Sequence, residues 1–392
     1  MSTFSCPVVP VRIIPHPNAD AIEIAEVGLF QSIVKKGQYQ TGELVAYIPE
    51  NSLIPDPILK AMDMWDTDRD KGRCGGSGGN RVKPIKLRGV VSQGLICPLY
   101  VVPKPWSQTA FVEGDDVSAL LGIVKYEQVV PAAFRGHSAG VLEGMTPKFD
   151  VENLKSNPWV FQEGENIRIT EKVHGTCCII GVFPEGYLAE RGKDEVTERL
   201  YKGRVYVGSK GLTRRGIVFN PNLDTSVYTK VTKEGLILDR ILSTIECLGG
   251  FSYKIFEGPF CVLGEIFGPG VQDLHYGRSQ HTFAGFDIWY EDPVKKTWVP
   301  VPNKQLAELF VMMGIPQVPI LYEGPYQGMD HLKSFVDGKS LYFDPFYKPS
   351  PGAKGSQHTR EGVVVRGDGN GKLYKMISNN YLFRKGEQTE FE

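Results

Sequence analysis

The first third of the chain is a succession of short apolar runs, each broken within a few residues by Gly, Pro or Asn. The segments 4–16, 22–27, 32–36, 43–49, 83–99 and 117–129 are rich in Val and Ile, which suits strands bounded by turns. No long helical periodicity interrupts them, so a small β-barrel is expected. The glycine-rich stretch 72–81 reads as a flexible loop inside it and fits neither phosphate-binding glycine signature. The DTDRD of 66–70 begins like a calcium loop, but Lys71 stands where glycine is required and Ser77 where glutamate is.

Residues 136–150 are loop-like and mark the expected domain boundary. Beyond them the pattern predicts longer strands at 167–173, 177–183, 204–209, 261–267, 282–290, 361–367 and 372–378. Helices are predicted at 226–248 and, just after Pro302, at 303–314. The fold class is therefore α+β: a β-barrel domain over 1–143, then a domain of antiparallel sheets flanked by helices over 144–392.

A formal net charge of -1 gives no global basic excess, so any nucleic-acid binding must come from local patches. Arg81, Lys83, Lys86 and Arg88 crowd one stretch and could track phosphates. Seven cysteines without a C-x-x-C pair argue against a disulfide framework or a zinc ribbon, and for a reducing compartment. No apolar run reaches membrane-spanning length and the N-terminus lacks a signal-peptide pattern. A soluble, cytoplasmic monomer with no membrane partner is expected.

The chemistry begins at Glu171-Lys172-Val173-His174-Gly175-Thr176. A lysine ends a strand here, and Gly175 in the following turn would let backbone approach a ligand closely. Singly, such a lysine is usually a solvated charge. In order downstream come VGSKGL (207–212), CVLGEIFGPGVQDLHYG (261–277), TFAGFDI (282–288), REGVVVRG (360–367) and KLYKMIS (372–378). This collinear set resembles the motifs of the covalent nucleotidyltransferases, the superfamily of ATP-dependent polynucleotide ligases and mRNA capping enzymes. His174 before the glycine is similar to the nick-sealing RNA ligases, where DNA ligases and capping enzymes usually carry Asp. The chain ends soon after the last motif, so no further domain is expected. A barrel followed by a terminal catalytic domain resembles the RNA ligases of the Deinococcus and Naegleria type. Residues 15–27 and 85–99 resemble stretches of tRNA-binding OB domains, which makes the barrel an OB-type nucleic-acid-binding domain.

The resemblance implies an ATP-dependent RNA ligase that seals 3′-hydroxyl/5′-phosphate ends, at nicks in duplexes, through lysine-AMP and RNA-adenylate intermediates. It implies ATP and RNA as partners and magnesium or manganese as cofactor. Lys172 is the implied nucleophile, with His174 and Lys375 also catalytic. Glu171, Gly175, Lys210, Glu265, Phe286, Glu361 and Lys375 join Lys172 around ATP, Phe286 stacking on adenine. Glu361 and Glu265 are the implied metal carboxylates. Asp287 falls on the opposite strand face from Phe286 and reads as structural. The alternatives are a DNA ligase or capping-type enzyme, or a non-catalytic RNA-binding protein that retains the fold.

Two physical expectations follow. An attacking lysine must be neutral, and moving its pKa from about 10.4 to near 7.5 costs roughly 4 kcal/mol; burial, Lys375 and a metal would push that way. The GDGNG turn joins 361–366 to 372–377 as a hairpin. Pairing Arg366 with Lys372 would set Lys375 opposite Val363, on the face of Glu361. One departure stands out: the second lysine common in the final motif is replaced by Ile377, and Lys372, Arg384 or Lys385 could supply its charge.

Overall fold

A computed structural model describes residues 4–103, 110–126, 137–224, 226–248, 254–272, 274, 276–342 and 359–383. Arg384 and Lys385 lie outside the described residues. The chain divides into two compact units, residues 1–128 and 129–384.

The first unit is built from β1 (Val8–Pro10), β2 (Arg12–Pro15), β3 (Ile22–Val27), β4 (Phe30–Lys35), β5 (Leu44–Ile48), β6 (Ile85–Leu87), β7 (Val90–Ser92) and β8 (Leu95–Pro98). Pairing gives one three-stranded sheet, β1-β5-β8, a second, β2-β3-β4, and the hairpin β6-β7. Only Val11 separates β1 from β2, so one length of chain serves both sheets. On the far side β4 and the β7–β8 corner meet without a ladder: the Gln93 N–H donates to the Gln31 carbonyl at 2.7 Å, and Ser32 Oγ to the Gln93 carbonyl at 2.8 Å. Strand β5 is apolar throughout because both its faces are covered. Ala46 and Ile48 join one core with Val8 and Cys97, and Val45 and Tyr47 join another with Val11 and Ala25. The glycine-rich stretch is folded back on itself, with reciprocal Gly75–Arg81 backbone hydrogen bonds of 2.8 and 2.9 Å, rather than forming an open loop.

The second unit contains β9 (Ser138–Val141), β10 (Glu152–Asn153), β11 (Asn166–Glu171), β12 (Thr176–Val182), β13 (Val205–Ser209) and β14 (Ile217–Phe219). Helices α1 (Val227–Glu234) and α2 (Ile237–Leu248) follow. Next come β15 (Phe260–Phe267), β16 (Thr282–Glu291), β17 (Trp298–Pro300), helix α3 (Asn303–Met312), β18 (Ile320–Pro325), β19 (Gly362–Gly367) and β20 (Leu373–Ile377). One sheet has seven strands in the order β9-β14-β13-β12-β15-β16-β17; the other has five, β10-β20-β19-β11-β18. In β12, Cys178, Ile180 and Val182 pack into the core that holds α1, α2 and α3, while Ile179, and Phe183 just past the strand, enter a core on the other face.

Three details depart from the sequence reading. Strand β9 pairs with β14, so residues 138–141 belong to the seven-stranded sheet although the expected boundary lay at 143/144. The helix expected over 226–248 is two helices, broken where Leu236 adopts φ 52°. The final hairpin is one residue out of the expected register: Arg366 opposes Leu373 and Val364 opposes Lys375. Among the described residues no helix is long and apolar enough to cross a membrane.

Candidate active site

Strand β11 lies in the five-stranded sheet and β12 in the seven-stranded one, so Lys172–Gly175 is the turn that carries the chain between them. Its backbone is pinned at both ends. The Lys172 N–H donates to the Gly362 carbonyl at 2.9 Å. The His174 N–H donates to the buried Tyr276 hydroxyl at 2.6 Å. Gly175 is needed for a reason internal to the protein. A Cβ at that position would stand 2.2 Å from the Ile266 carbonyl oxygen of the neighbouring β15.

Glu361 arrives from the other sheet. It immediately precedes β19, whose first residue, Gly362, has φ 153°, so strict strand alternation does not extend to it. Its side chain is buried, with Oε1 2.8 Å from Lys172 Nζ and Oε2 3.5 Å from His174 Nδ1. Burial opposes its ionisation, but Lys172 and His174 outweigh burial and lower its pKa to about 2. Lys172 follows the converse logic. Burial would lower its pKa, yet the carboxylates of Glu361 and Glu265 raise it above the ordinary value. The expected depression at this lysine is therefore absent, because two carboxylates face it.

The depressed amine is Lys375. Burial, then Lys172 and Lys210, bring it down to about 8, and it makes no hydrogen bond or ion pair among the described residues. It projects from β20 beside Val364, with Asn153 of β10 parallel to it. Glu265, on β15, is pushed up to about 7, chiefly by burial, with Lys172 opposing and Glu361 reinforcing.

Phe286 sits at a β-bulge. Leu263 pairs with Asp287 and Gly264 with Gly285, leaving Phe286 opposite no residue. Bulges re-aim side chains, and Phe286 lies half-buried, packed like Cys177 and Val364 against the core that holds Ile179 and Leu263. Asp287 turns inward as expected, accepting from Trp289 Nε1 and Arg366, each at 2.9 Å. Lys210 opens a short helix, Lys210–Thr213, and pairs with Asp150 at 2.6 Å. Lys172, His174, Glu265, Glu361, Lys375 and Lys210 thus fall within one electrostatic neighbourhood.

Glu171 is placed differently from the expectation of a nucleotide contact. Its carboxylate accepts from Ser340 Oγ at 2.5 Å and the Leu341 N–H at 2.8 Å, with Arg360 Nε 3.8 Å away. In the first unit, Arg81 reaches Asn51 Oδ1 and lies over the Tyr126 ring at 3.8 Å. Lys83 is half-buried, while Lys86 and Arg88 are exposed on the β6–β7 hairpin. Of the four basic residues, Lys86 and Arg88 are the exposed ones. Asn18 Nδ2 donates to the Arg88 carbonyl at 3.2 Å, and His16 Nε2 lies 3.3 Å from the Leu87 carbonyl oxygen. The two OB-like stretches of sequence thus meet at the hairpin tip.

Sequence reasoning missed Tyr381, whose hydroxyl lies 3.0 Å from His174 Nδ1. It also missed Asp150 and Tyr228, the latter sharing a 2.5 Å hydrogen bond with Thr176. Tyr276 was within reach, since it belongs to the long motif around Glu265.

The donor set suits a hard divalent cation. Glu361 Oε2 is a buried oxygen without a hydrogen bond among the described residues, and Glu265 offers a second carboxylate in the same field. No group of three or more His, Cys, Asp or Glu capable of holding a metal occurs among the described residues. Water and phosphate would fill the remaining positions, as magnesium tolerates.

A lysine at the junction of two sheets, faced by carboxylates and further lysines and preceded by a β-rich unit, defines a class: nucleotidyl-transfer enzymes with an appended OB fold. Residues 165–377, more than half of the chain, match the RNA ligase family, and residues 8–99 match an OB-fold domain. The chain belongs to the RNA ligase family. Similar solved structures include the Naegleria gruberi RNA ligase with pyrophosphate, 21% identical over 97% of this chain and 98% of that one, with a TM-score of 0.66. Two variants of the Naegleria ligase are similar at 21% identity over 96% of this chain and 97% of theirs. One was solved with AMP and manganese (TM-score 0.67) and the other with ATP and manganese (TM-score 0.65). No protein of curated function matches the sequence significantly.

Proposed function

We propose that this chain is an ATP-dependent RNA ligase, a cytoplasmic monomer that joins 3′-hydroxyl and 5′-phosphate ends at nicks in duplexed RNA. The observation that carries the reading is the Lys172–Glu361 pair at the turn between the sheets, with Glu265, Lys210 and Lys375 in the same field. The Naegleria ligase structures containing ATP or AMP with manganese support ATP and a divalent metal as the partners.

In the proposed reaction Lys172, whose side chain is partly exposed, gives up a proton to solvent and its Nζ attacks the α-phosphorus of ATP. The N–P bond forms as the α–β bridging oxygen leaves with pyrophosphate, giving lysine-AMP. An RNA 5′-phosphate oxygen then takes the AMP, restoring Lys172, and the RNA 3′-hydroxyl displaces AMP to close the phosphodiester. Glu361 and Glu265 would hold the divalent cation, which would supply positive charge to the phosphate oxygens and loosen the hold of Glu361 on Lys172. His174 orients Glu361. Lys375, already poised near its charge transition, and Lys210 neutralise phosphate charge. Because Lys375 is tied up in no ion pair among the described residues, with Asp150 and Glu361 acting on it only through the field, it can supply this charge without a second lysine at position 377. Phe286 stacks on adenine, a contact worth roughly 1–3 kcal/mol. Glu171 acts by fixing residues 340–341 beside the nucleophile. Lys86 and Arg88, exposed on the β6–β7 hairpin, are the basic residues best placed for RNA in the OB-type unit.

The test is incubation with α-labelled ATP or GTP and magnesium or manganese. A labelled protein is expected with ATP only, lost in Lys172→Ala and released by acid, as for a phosphoramidate. No label with either metal would refute the enzyme reading. A nick with a ribonucleotide 3′-end should seal faster than an all-DNA nick, since the 2′-hydroxyl is what distinguishes them.

A further inference from the structure

Asp150 takes two cations at once. Its Oδ1 lies 2.6 Å from Lys210 Nζ and its Oδ2 lies 3.7 Å from the Arg214 guanidinium. Lys210 and Arg214 are four residues apart across the short helix Lys210–Thr213, so both project from one side of it. The three side chains are 28%, 34% and 18% exposed for Lys210, Arg214 and Asp150. Such partly solvated pairs are held weakly and exchange readily for a better anion. A phosphate group, with more negative charge and three oxygens to offer a lysine and a guanidinium, is such an anion.

The cluster stands within the field of the site. Lys210 influences Glu265 and Lys375, and Asp150 influences Lys375. The Phe149 ring lies 5.5 Å from Lys210 Nζ. Asp150 itself is anchored, since its Oδ1 also accepts the Val151 N–H at 2.9 Å.

On the ligase reading of the site, we infer that Arg214 is a second phosphate-binding cation beside Lys210, and that Asp150 holds both until a phosphate group displaces it. Asp150 is then a positioning residue, and Arg214 touches the phosphate. The phosphate belongs either to the departing pyrophosphate of ATP or to the 5′-end of the RNA.

Isothermal titration of the full-length protein with inorganic pyrophosphate tests the site. Arg214→Gln should weaken binding at least about tenfold, with part of the loss recovered in Arg214→Lys. Asp150→Asn removes the competing charge while keeping the shape, and should bind pyrophosphate more tightly than the unaltered protein. A merely structural pair would weaken binding in every variant. Unchanged affinity in Arg214→Gln, weaker binding in Asp150→Asn, or no binding by the unaltered protein would each overturn the inference. Two kinetic arms then separate the sources. A raised KM for ATP in Lys172 adenylation assigns Arg214 to the triphosphate, and slower AMP transfer to 5′-phosphorylated RNA assigns it to the RNA end. If neither changes, the role in the reaction is refuted. Should the unaltered protein form no lysine-AMP while pyrophosphate binding responds as described, the ligase reading fails and the phosphate site stands.

Discussion

Lys172 Nζ lies 2.8 Å from Glu361 Oε1, which ties the proposed nucleophile to the proposed metal carboxylate. The pair keeps Glu361 ionised and Lys172 protonated. Lys172→Met should abolish the labelled intermediate yet leave the sealing of pre-adenylated RNA measurable, since that step does not use the amine. Glu361→Gln should slow self-adenylation by about 10²–10³-fold, the scale for removing one preorganised electrostatic group. A Lys172→Met protein that still becomes labelled would place the nucleophile elsewhere.

Lys375 carries the cost of a buried cation whose nearby carboxylates, Asp150 and Glu361, do not offset burial and the repulsion of Lys172 and Lys210. Its folded pKa is about 8 against an ordinary 10.5, a gap of roughly 3 kcal/mol at about 1.36 per unit. Partial solvent contact reduces this to about 1–2 kcal/mol. Between pH 8 and 10.5 the unfolded chain binds the proton and the folded one does not, so stability rises with pH in that window. Below pH 8 both states are protonated and the full cost applies. Lys375→Met should therefore be more stable than the unaltered protein in urea melts at pH 7. The advantage should shrink toward pH 10, and ligation should be lost. A less stable Lys375→Met at pH 7 would contradict this assignment.

The strands that carry the candidate residues were legible because strand runs survive as apolar patterns, with Lys172 and Glu361 next to strand ends and Glu265, Phe286 and Lys375 within strands. Geometry that depends on the partner strand was not. The bulge that leaves Phe286 unpaired is set by β15 as much as by β16, and the register of β19 with β20 turned out one residue from the turn-based expectation. The helix break puts positive φ on Leu236 rather than on the adjacent Gly235, contrary to the usual preference for glycine in that conformation. Asp150 and Tyr381 lie outside the quoted motifs, in segments with no pattern of their own. Only tertiary structure brings them to Lys210 and His174.

Gly175 tests how tightly β15 closes on the nucleophile turn. An alanine Cβ would meet the Ile266 carbonyl oxygen at 2.2 Å and Glu265 Cγ at 3.0 Å, and backbone cannot yield as a flexible side-chain end can. Gly175→Ala should cost on the order of 2–4 kcal/mol, read as a lowered denaturation midpoint, together with loss of self-adenylation. Near-normal stability would mean that the turn can separate from β15.

Tyr381→Phe removes one hydroxyl, 3.0 Å from His174 Nδ1, and leaves the ring packing in place. With His174 less firmly oriented toward Glu361, self-adenylation should fall about tenfold, equivalent to one hydrogen bond of about 1–1.5 kcal/mol. The KM for ATP should change little, since Tyr381 approaches the histidine rather than the nucleotide pocket. A change in KM alone would make Tyr381 a binding residue.

The position of β9 decides where the chain can be divided. Ser138–Val141 pairs with β14 at the edge of the seven-stranded sheet, and Ala139 and Leu142 are fully buried in its core. Removing residues 1–128 leaves this strand in place, whereas removing 1–143 deletes it and uncovers the edge of β14. An exposed edge strand and two lost core side chains together predict a less stable, aggregation-prone fragment. The 129–392 fragment should therefore melt cooperatively and form lysine-AMP at nearly the full-length rate, while sealing nicked RNA at least about tenfold more slowly for want of the OB-type unit. The 144–392 fragment should melt lower or precipitate. Equal melting of the two fragments would show that β9 contributes nothing to the catalytic unit, and undiminished nick sealing by 129–392 would remove the first unit from the reaction.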